Sequence, residues 1–186
     1  MHLLVGLGNF GKEYEKTRHN FGFLVVDQII ASHGFVALGK KFSSEVFNGE
    51  IDGKKVIALK PQTYMNNSGV AVLEAAKFYK IAPQNIIVLH DEIDIDFGKI
   101  KVKIGGGNAG HNGLKSIDST IGKEYWRVRL GVGRPQNAEF EIADYVLSKF
   151  STQERKELEE INHKISDAIS LLITGDANLF TNKIAL

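Results

Sequence analysis

The chain has 186 residues, of which 43% are hydrophobic and 24% charged, a composition typical of a globular domain. This length predicts a single domain over residues 1–186, large enough to fold around its own core without a metal or a disulfide. The sequence has no cysteine, which excludes disulfides, thiolate zinc sites and cysteine nucleophiles. It has neither a signal-peptide pattern nor an apolar run approaching the roughly 20 residues that span a bilayer, so we expect a cytoplasmic protein without a membrane-bound part.

The formal net charge of +1 conceals an uneven distribution. Residues 97–134 include eight basic residues and only two acidic ones. A local basic surface on a nearly neutral protein suggests a polyanionic partner such as a nucleic acid, but charge alone favours the simpler interpretation, an ordinary solvated face. The eight basic residues are Lys99, Lys101, Lys103, Lys115, Lys123, Arg127, Arg129 and Arg134.

The first half of the chain alternates between strand and helix patterns. A short apolar strand at residues 2–6 precedes residues 20–32, whose apolar side chains recur at the spacing of a helix. Strands at 44–50 and 54–60 flank an aspartate–glycine turn and therefore predict a β-hairpin. Residues 70–79 predict a second helix.

The second half opens with an apolar strand at 85–90, which we expect at the centre of the sheet. Lysines alternate with apolar residues in a strand at 99–104, so three lysines share one face. A short helix at 114–121 and a strand at 126–132 follow. Ser151 begins a capping-box pattern, and the amphipathic helix behind it is the last predicted element. This alternation predicts a mixed α/β sheet covered on both faces.

A glycine-rich loop follows the first strand. Its sequence, Gly6-Leu7-Gly8-Asn9-Phe10-Gly11, formally matches the G-x-G-x-x-G dinucleotide fingerprint. However, residues 12–19 lack a helical apolar period, and no carboxylate ends a second strand about 20 residues later. The pattern therefore favours a turn that presents Asn9 into a cleft, and the alternative is a dinucleotide-dependent oxidoreductase.

Four carboxylates and a histidine end the predicted central strand, in His90-Asp91-Glu92-Ile93-Asp94-Ile95-Asp96. A hard-cation site is one interpretation, because such cations prefer several oxygen ligands. The calcium-loop pattern fails for lack of glycine at its sixth position, and no second cluster has metal-ligand spacing. We favour one functional carboxylate at the carboxyl edge of the sheet, where α/β proteins place their sites.

Two further loops are rich in polar residues or glycine. The run before the second helix contains Ser68, which lacks the G-x-S-x-G elbow of a serine nucleophile. Capping of that helix by the side chain of Asn67 or Ser68 is the simpler interpretation. Residues 105–113 include five glycines. They predict either a mobile connector or a loop whose backbone approaches a ligand.

His19 lies where the first helix begins, close in sequence to the loop that carries Asn9. A lone histidine at such a position is commonly structural. It is also one of the few general bases near the candidate loops. If Asp91 folds against it, the two residues form a base oriented by a carboxylate.

Five motifs are spread over nearly the whole chain. They are Gly6-Leu7-Gly8-Asn9 with Tyr14 and Thr17-Arg18-His19-Asn20; Lys60-Pro61-Gln62-Thr63-Tyr64-Met65-Asn66 with Ser68-Gly69; His90-Asp91-Glu92 with Asp94; Gly105-Gly106-Gly107 with Gly110-His111-Asn112-Gly113-Leu114; and Arg127-Val128-Arg129-Leu130-Gly131-Val132-Gly133-Arg134-Pro135. In order and spacing the chain resembles the bacterial peptidyl-tRNA hydrolases. Phe10 departs from the proline of many members, and Asn108-Ala109 departs from the common glycine-loop sequence.

The resemblance implies a monomeric enzyme that needs neither metal nor cofactor. Its fold is a single α/β domain with a twisted mixed β-sheet flanked by α-helices, of the phosphorylase/hydrolase-like kind. The reaction is hydrolysis of the ester between the peptide and the 3′-terminal ribose of peptidyl-tRNAs released from ribosomes, which recycles the tRNA. The enzyme's partner is the acceptor stem and terminal CCA with the attached peptide. A tRNA-binding module without catalytic activity is the alternative.

The resemblance also implies roles for individual residues. His19 is the catalytic base, and Asp91 is its orienting partner. Lys103 and Arg129 bind the terminal phosphate of the tRNA. The residues that line the cleft and hold the peptide part and the attacking water are Asn9, Tyr14, Met65, Asn66, His111 and Asn112. The three asparagines suit a varied peptide, because an amide pairs with backbone groups whatever the side chain.

Overall fold

Seven strands form one sheet in the computed structural model of the chain, which describes residues 1–185. The strands are β1 (His2–Gly6), β2 (Val36–Lys41), β3 (Ser44–Ile51), β4 (Lys54–Pro61), β5 (Ile86–Glu92), β6 (Ile100–Ile104) and β7 (Trp126–Gly131). The helices are α1 (Phe21–Ser32), α2 (Ser68–Tyr79), α3 (Asn112–Ile121), α4 (Ile142–Val146), α5 (Thr152–Ile173) and α6 (Ala177–Ala185).

The sheet has the spatial order β2-β3-β4-β1-β5-β7-β6. Its four inner strands are parallel, because β1 pairs in parallel with β4 and β5, and β5 does so with β7. The antiparallel strands β2, β3 and β6 lie towards the outside. The carboxyl ends of the four parallel strands therefore meet at one edge, where α/β proteins place ligands.

Each face of the sheet is covered by a separate apolar core. Alternate residues of a strand point to opposite faces, so Leu4 and Leu89 pack against α1, α5 and α6, whereas Leu3 and Val88 pack against α2 and α3. All seven residues of β5 are buried, as expected for a strand covered on both sides. The predicted single mixed α/β domain is thereby confirmed.

Each element predicted from sequence is present, with boundaries within two residues of those expected. The capping box is also formed, because Ser151 Oγ accepts from the Glu154 N–H and the Glu154 side chain accepts from the Ser151 N–H. The prediction missed β2, α4 and α6. Within residues 1–185, no helix is both long enough and apolar enough to cross a membrane.

The predicted side-chain cap of α2 is wrong. Neither Asn67 nor Ser68 uses its side chain to cap the helix, and Ser68 Oγ instead donates to the Met65 carbonyl at 2.8 Å. The reason is that a turn of 3-10 helix (Met65–Asn67) leads directly into α2, so the Met65 carbonyl accepts from the Ser68 N–H, and Ser116 Oγ of α3 accepts from the Gly69 N–H at 2.8 Å. Ser68 is fully buried, which is inconsistent with a nucleophile.

Candidate active site

The candidate site lies at the carboxyl edge of the parallel strands. β1 leads into the loop that carries Asn9, β5 carries Asp91 near its end, and a 3-10 turn (Arg18–Asn20) immediately before α1 carries His19. Gly22 allows α1 to begin directly against this edge, since an added Cβ would collide with the Leu89 carbonyl. Close packing of helix on strand therefore brings three distant segments together.

His19 and Asp91 form a buried pair. His19 Nδ1 lies 3.0 Å from both carboxylate oxygens of Asp91. Because a carboxylate accepts, Nδ1 carries a proton, and Nε2 of the neutral ring is left without one. The neighbouring Arg18 holds this turn in place, since its guanidinium donates to Ser148 Oγ and to the Lys149 carbonyl, each at 2.7 Å.

His111 makes a second hydrogen bond to the same carboxylate. The ring caps α3, with Nδ1 accepting from the N–H groups of Gly113 at 3.1 Å and Leu114 at 3.4 Å. The proton must then be on Nε2, which donates to Asp91 Oδ1 at 2.9 Å. The resemblance implied only that His111 helps to shape the cleft, because nothing in its local pattern indicates a contact across 20 positions.

The three groups shift one another's pKa values. Burial opposes ionisation of Asp91, but the charges and donors of His19 and His111 outweigh it and hold the pKa of this carboxyl far below its ordinary value. Burial also disfavours the charged form of His19, and the adjacent Asp91 outweighs it, so the pKa of His19 is raised above 6.5. The carboxylate is therefore ionised at neutral pH.

His19, Asp91 and His111 are also the residues, among 1–185, whose ligand atoms lie close enough to share a metal ion, within 4.8 Å of one another. Nδ1 of His111 is committed to the cap of α3, so its Nε2 is a protonated donor and has no lone pair for a metal. The hydrogen bonds account for the geometry. The remaining loop carboxylates have structural partners: Glu92 accepts from the Asp94 N–H, and Asp94 pairs with Arg134.

Hydrogen bonds fix both the main chain of Asn9 and the oxygen of its side-chain amide. Its main chain exchanges two hydrogen bonds with the Asn20 side chain, at 2.8 and 2.9 Å. Its Oδ1 accepts from the Met65 N–H at 2.9 Å, so the Nδ2 group remains available to donate. Asn20 ends the motif Thr17-Arg18-His19-Asn20, but the sequence analysis predicted no role for it, because its contact with Asn9 depends on the fold.

Two adjoining pockets, of about 150 and 300 Å³, make up the cleft next to His19. The residues Asn9, Met65, Asn66, His111 and Asn112 line one or the other. The opposite wall is the short helix α4, which the sequence analysis missed. Tyr14 is the one predicted cleft residue that lines neither pocket.

The far rim of the cleft is aromatic. Tyr64 is half exposed and adopts φ 57° and ψ 161°, a backbone conformation that is costly for any residue except glycine. Its ring stacks on Phe10 with the centroids 4.3 Å apart. Backbone strain of this kind is often found at binding sites.

The basic residues of the segment 97–134 divide into two groups. Cross-strand pairing places Lys103 opposite Arg127 and Lys101 opposite Arg129, so all four side chains lie on one face of the sheet. Arg127 is fully buried, pairs with Asp118 at 2.8 Å and donates to the Gly107 carbonyl at 3.0 Å. Its predicted place on the basic surface is therefore wrong, because the ion pair makes it part of the core.

The basic surface that remains is smaller. Arg134 and Lys99 pair with acidic neighbours. Burial and the nearby guanidinium groups of Arg129 and Arg127 lower the pKa of Lys103, which indicates a concentration of positive charge there. The basic residues on or near this face without an acidic partner among residues 1–185 are Lys101, Lys103, Lys115, Lys123 and Arg129.

The fold and the site together define a class of protein. It is an α/β protein with a carboxylate-oriented histidine facing an amide-lined cleft, beside a concentrated positive charge. No serine or threonine is present among the residues that line the two pockets, so the histidine has no aliphatic hydroxyl to activate there. This arrangement is typical of a hydrolase whose histidine activates water.

Comparison with known proteins identifies the family within that class. The family model described as peptidyl-tRNA hydrolase matches residues 3–185, and the chain belongs to this family. The peptidyl-tRNA hydrolase of Ehrlichia ruminantium (strain Gardel) is 50% identical over 99% of this chain and 94% of the relative. That of Wolbachia sp. subsp. Drosophila simulans (strain wRi) is 49% identical over 99% of this chain and all of the relative.

A solved structure agrees with the fold. The crystal structure of peptidyl-tRNA hydrolase from Acinetobacter baumannii superposes with a TM-score of 0.92 at 39% identity, covering 99% of this chain and 94% of the other. The family predicted from the five motifs is thereby confirmed, together with the α/β fold that the resemblance implied.

Proposed function

We propose that this chain hydrolyses the ester bond between a peptide and the 3′-terminal ribose of a tRNA, with His19 as the general base. The observation that carries the proposal is the contact of His19 Nδ1 with the Asp91 carboxylate at 3.0 Å. It leaves Nε2 as the proton acceptor, next to an amide-lined cleft. Family membership supplies the substrate class.

The chemical step is attack by water. His19 Nε2 removes a proton from the water, the oxygen adds to the ester carbonyl, and the ribose oxygen leaves with a proton returned by the imidazolium. Asp91 holds the ring in the required tautomer and stabilises its charged form. General-base catalysis of this type contributes about a hundred- to ten-thousand-fold in rate.

The oxyanion and the peptide need polar partners in the same cleft. Asn9 Nδ2 suits the oxyanion, because Asn9 Oδ1 is already fixed by the Met65 N–H and the amide needs no reorganisation during the reaction. Asn66 and Asn112 are exposed and line the cleft, where their amides suit the peptide backbone. Recognition of backbone groups accounts for tolerance of many peptide sequences.

The tRNA end is assigned to the basic face. Lys103 and Arg129 bind the terminal phosphate, and the exposed Lys101, Lys115 and Lys123 contact the acceptor stem through its backbone. The proposal includes a monomeric, cytoplasmic enzyme that requires neither metal nor cofactor. His111 uses Nδ1 to cap α3 and Nε2 to donate to Asp91, so neither nitrogen is free to bind a metal, and this supports a mechanism without one.

The test compares an N-acetylated aminoacyl-tRNA with its unblocked counterpart, both in EDTA. Release of the acyl group from the blocked substrate alone supports the hydrolase, its need for a peptide-like group and its independence of metal. Binding of the blocked tRNA without release, by protein with intact circular dichroism, would favour the non-catalytic tRNA-binding module.

A further inference from the structure

His90 is a buried histidine that the mechanism above does not use. It precedes Asp91 on β5 and is fully buried. Its Nδ1 lies 2.8 Å from the Asp91 main-chain carbonyl. A carbonyl only accepts, so Nδ1 donates and Nε2 of the neutral ring is an acceptor. Burial, reinforced by His111, lowers the pKa of His90 to about 3, so the ring is neutral at physiological pH.

Three buried nitrogens on the neighbouring strands β5 and β7 have no hydrogen-bond partner within residues 1–185. They are the acceptor His90 Nε2 and the donors Arg127 Nε and Arg129 Nε. The parallel register of β5 and β7 pairs His90 with Arg129, so the two side chains lie side by side on the same face of the sheet. Buried polar atoms rarely remain unbonded, and these two match as donor and acceptor.

His90 also contacts His111 and the main chain of Asp91 directly. Its ring packs edge-on against His111, with the centroids 5.2 Å apart and the planes at 77°. His111 donates to the Asp91 carboxylate, and His90 donates to the Asp91 main chain. His90 therefore lies between the arginine assigned to the tRNA phosphate and the carboxylate that orients His19.

We propose that His90 is a positioning residue that couples phosphate binding at Arg129 to the Asp91–His19 pair, an inference that rests on the function proposed above. When a phosphate holds the terminal nitrogens of Arg129, its Nε–H donates to His90 Nε2, directly or through one water. This bond fixes the His90 ring, which in turn fixes His111 and the main chain of Asp91. Phosphate contact then contributes to the chemical step as well as to binding.

Two substitutions separate the two ends of the ring. In His90→Asn the amide nitrogen can replace Nδ1 and keep the bond to Asp91, but the distant acceptor is lost. In His90→Gln the amide reaches further and can supply an acceptor in place of Nε2. Arg129→Lys keeps the positive charge and removes the Nε–H group. Arg134→Lys, at an exposed arginine paired with Asp94, is the matched control.

The measurement is the single-turnover rate at saturating enzyme, with N-acetylaminoacyl-tRNA and with the same acyl group on adenosine alone. We expect His90→Asn to slow hydrolysis of the tRNA substrate about fivefold, the size typical of one hydrogen bond. The rate on the adenosine ester, which has no phosphate, should hardly change. His90→Gln should restore most of the loss, and His90→Asn should cause no further loss in the Arg129→Lys background.

Equal losses on both substrates would overturn the coupling, because a merely structural histidine would support Asp91 whether or not phosphate is bound. Losses that multiply independently in the double variant would overturn it as well. Thermal melting of each variant shows whether the fold is intact. If the wild-type protein released no acyl group from either substrate, the proposed function itself would fail; normal wild-type release with independent losses rejects only the coupling.

Discussion

Asp91 accepts hydrogen bonds from two histidines whose remaining nitrogens differ. His111 uses Nδ1 to cap α3, whereas His19 has Nε2 left over at the cleft. This asymmetry supports the proposal that His19 is the base, and it leaves His111 as a fixed donor that helps to keep Asp91 ionised. The choice between two histidines beside one carboxylate thus follows from the helix cap.

The raised pKa of His19 predicts the pH dependence of the reaction. The base must be neutral, so kcat/KM should increase as pH rises through a pKa above 6.5. Asp91→Asn removes the carboxylate that raises this pKa and leaves the burial that lowers it. The rising limb should therefore move to lower pH, and the plateau should fall by about a hundredfold or more because the ring is no longer held in the productive tautomer.

A pH profile of kcat/KM for the wild type and Asp91→Asn checks this expectation. A rising limb at the same pH in both proteins would mean that ionisation of His19 does not determine kcat/KM, or that Asp91 does not control the pKa of His19. The exposed Asp167→Asn on α5 is a suitable control for the loss of one carboxylate.

Much of the site could be predicted from sequence because its residues occur in motifs with a chemical meaning. The local patterns around Asn9, His19 and Asp91 indicate these residues as candidates without any knowledge of the contacts between them. The shared carboxylate, the Asn9–Asn20 exchange and the absence of Tyr14 from the cleft depend on which way side chains point after folding. No local pattern contains that information.

Among the secondary-structure elements, a buried ion pair connects the glycine-rich loop at residues 105–113 to α3 and β7. Arg127 joins Asp118 on α3 to the Gly107 carbonyl in the loop, and Tyr125 also donates to Asp118 at 2.9 Å. The loop is therefore fixed at one point, although three of its glycines adopt positive φ. This anchor favours a shaped loop near the cleft over a mobile connector.

Loss of this anchor should be costly. Arg127→Met leaves the buried Asp118 carboxylate without its cation, and we expect a decrease of about 3–5 kcal/mol in the free energy of unfolding. Arg134→Gln removes an exposed ion pair with Asp94 and should cost about 1 kcal/mol or less. Urea unfolding of both variants measures the difference, and equal small effects would refute the anchoring role of Arg127.

Elements with a clear period were predictable, and those without one were not. All six residues of β2 are exposed, so the strand has no alternation of apolar and polar side chains to recognise. α4 has only five residues, too few for a helical period. The omission of α4 mattered most, because Ala143 and Val146 on this helix line both pockets of the cleft.

At the scale of the whole molecule, the sheet holds two surfaces with different chemistry next to each other. The carboxyl edge supplies amides and the His19–Asp91 pair, and the strands β6 and β7 supply the positive charge. The chain as a whole has a net charge of only +1, so the proposed function assigns the affinity for tRNA to the local arrangement of these charges.

This arrangement predicts a steep dependence of KM on salt. Each phosphate neutralised contributes about 0.7–0.9 to the slope of log affinity against log salt. Lys103→Ala should raise KM with little change in kcat and reduce that slope by about one. Lys55→Ala, an exposed lysine on β4 away from the basic face, should change neither. A slope unaffected by Lys103→Ala would remove this lysine from the phosphate site.

The most direct test of the account is the single-turnover release of the acyl group from N-acetylaminoacyl-tRNA, in EDTA, by His19→Ala. His163→Ala, at an exposed histidine on α5, is the control. We expect His19→Ala to lose at least a hundredfold in rate while its fold and tRNA affinity remain, and His163→Ala to match the wild type. A His19→Ala protein with a rate near that of the wild type would show that His19 is not the base.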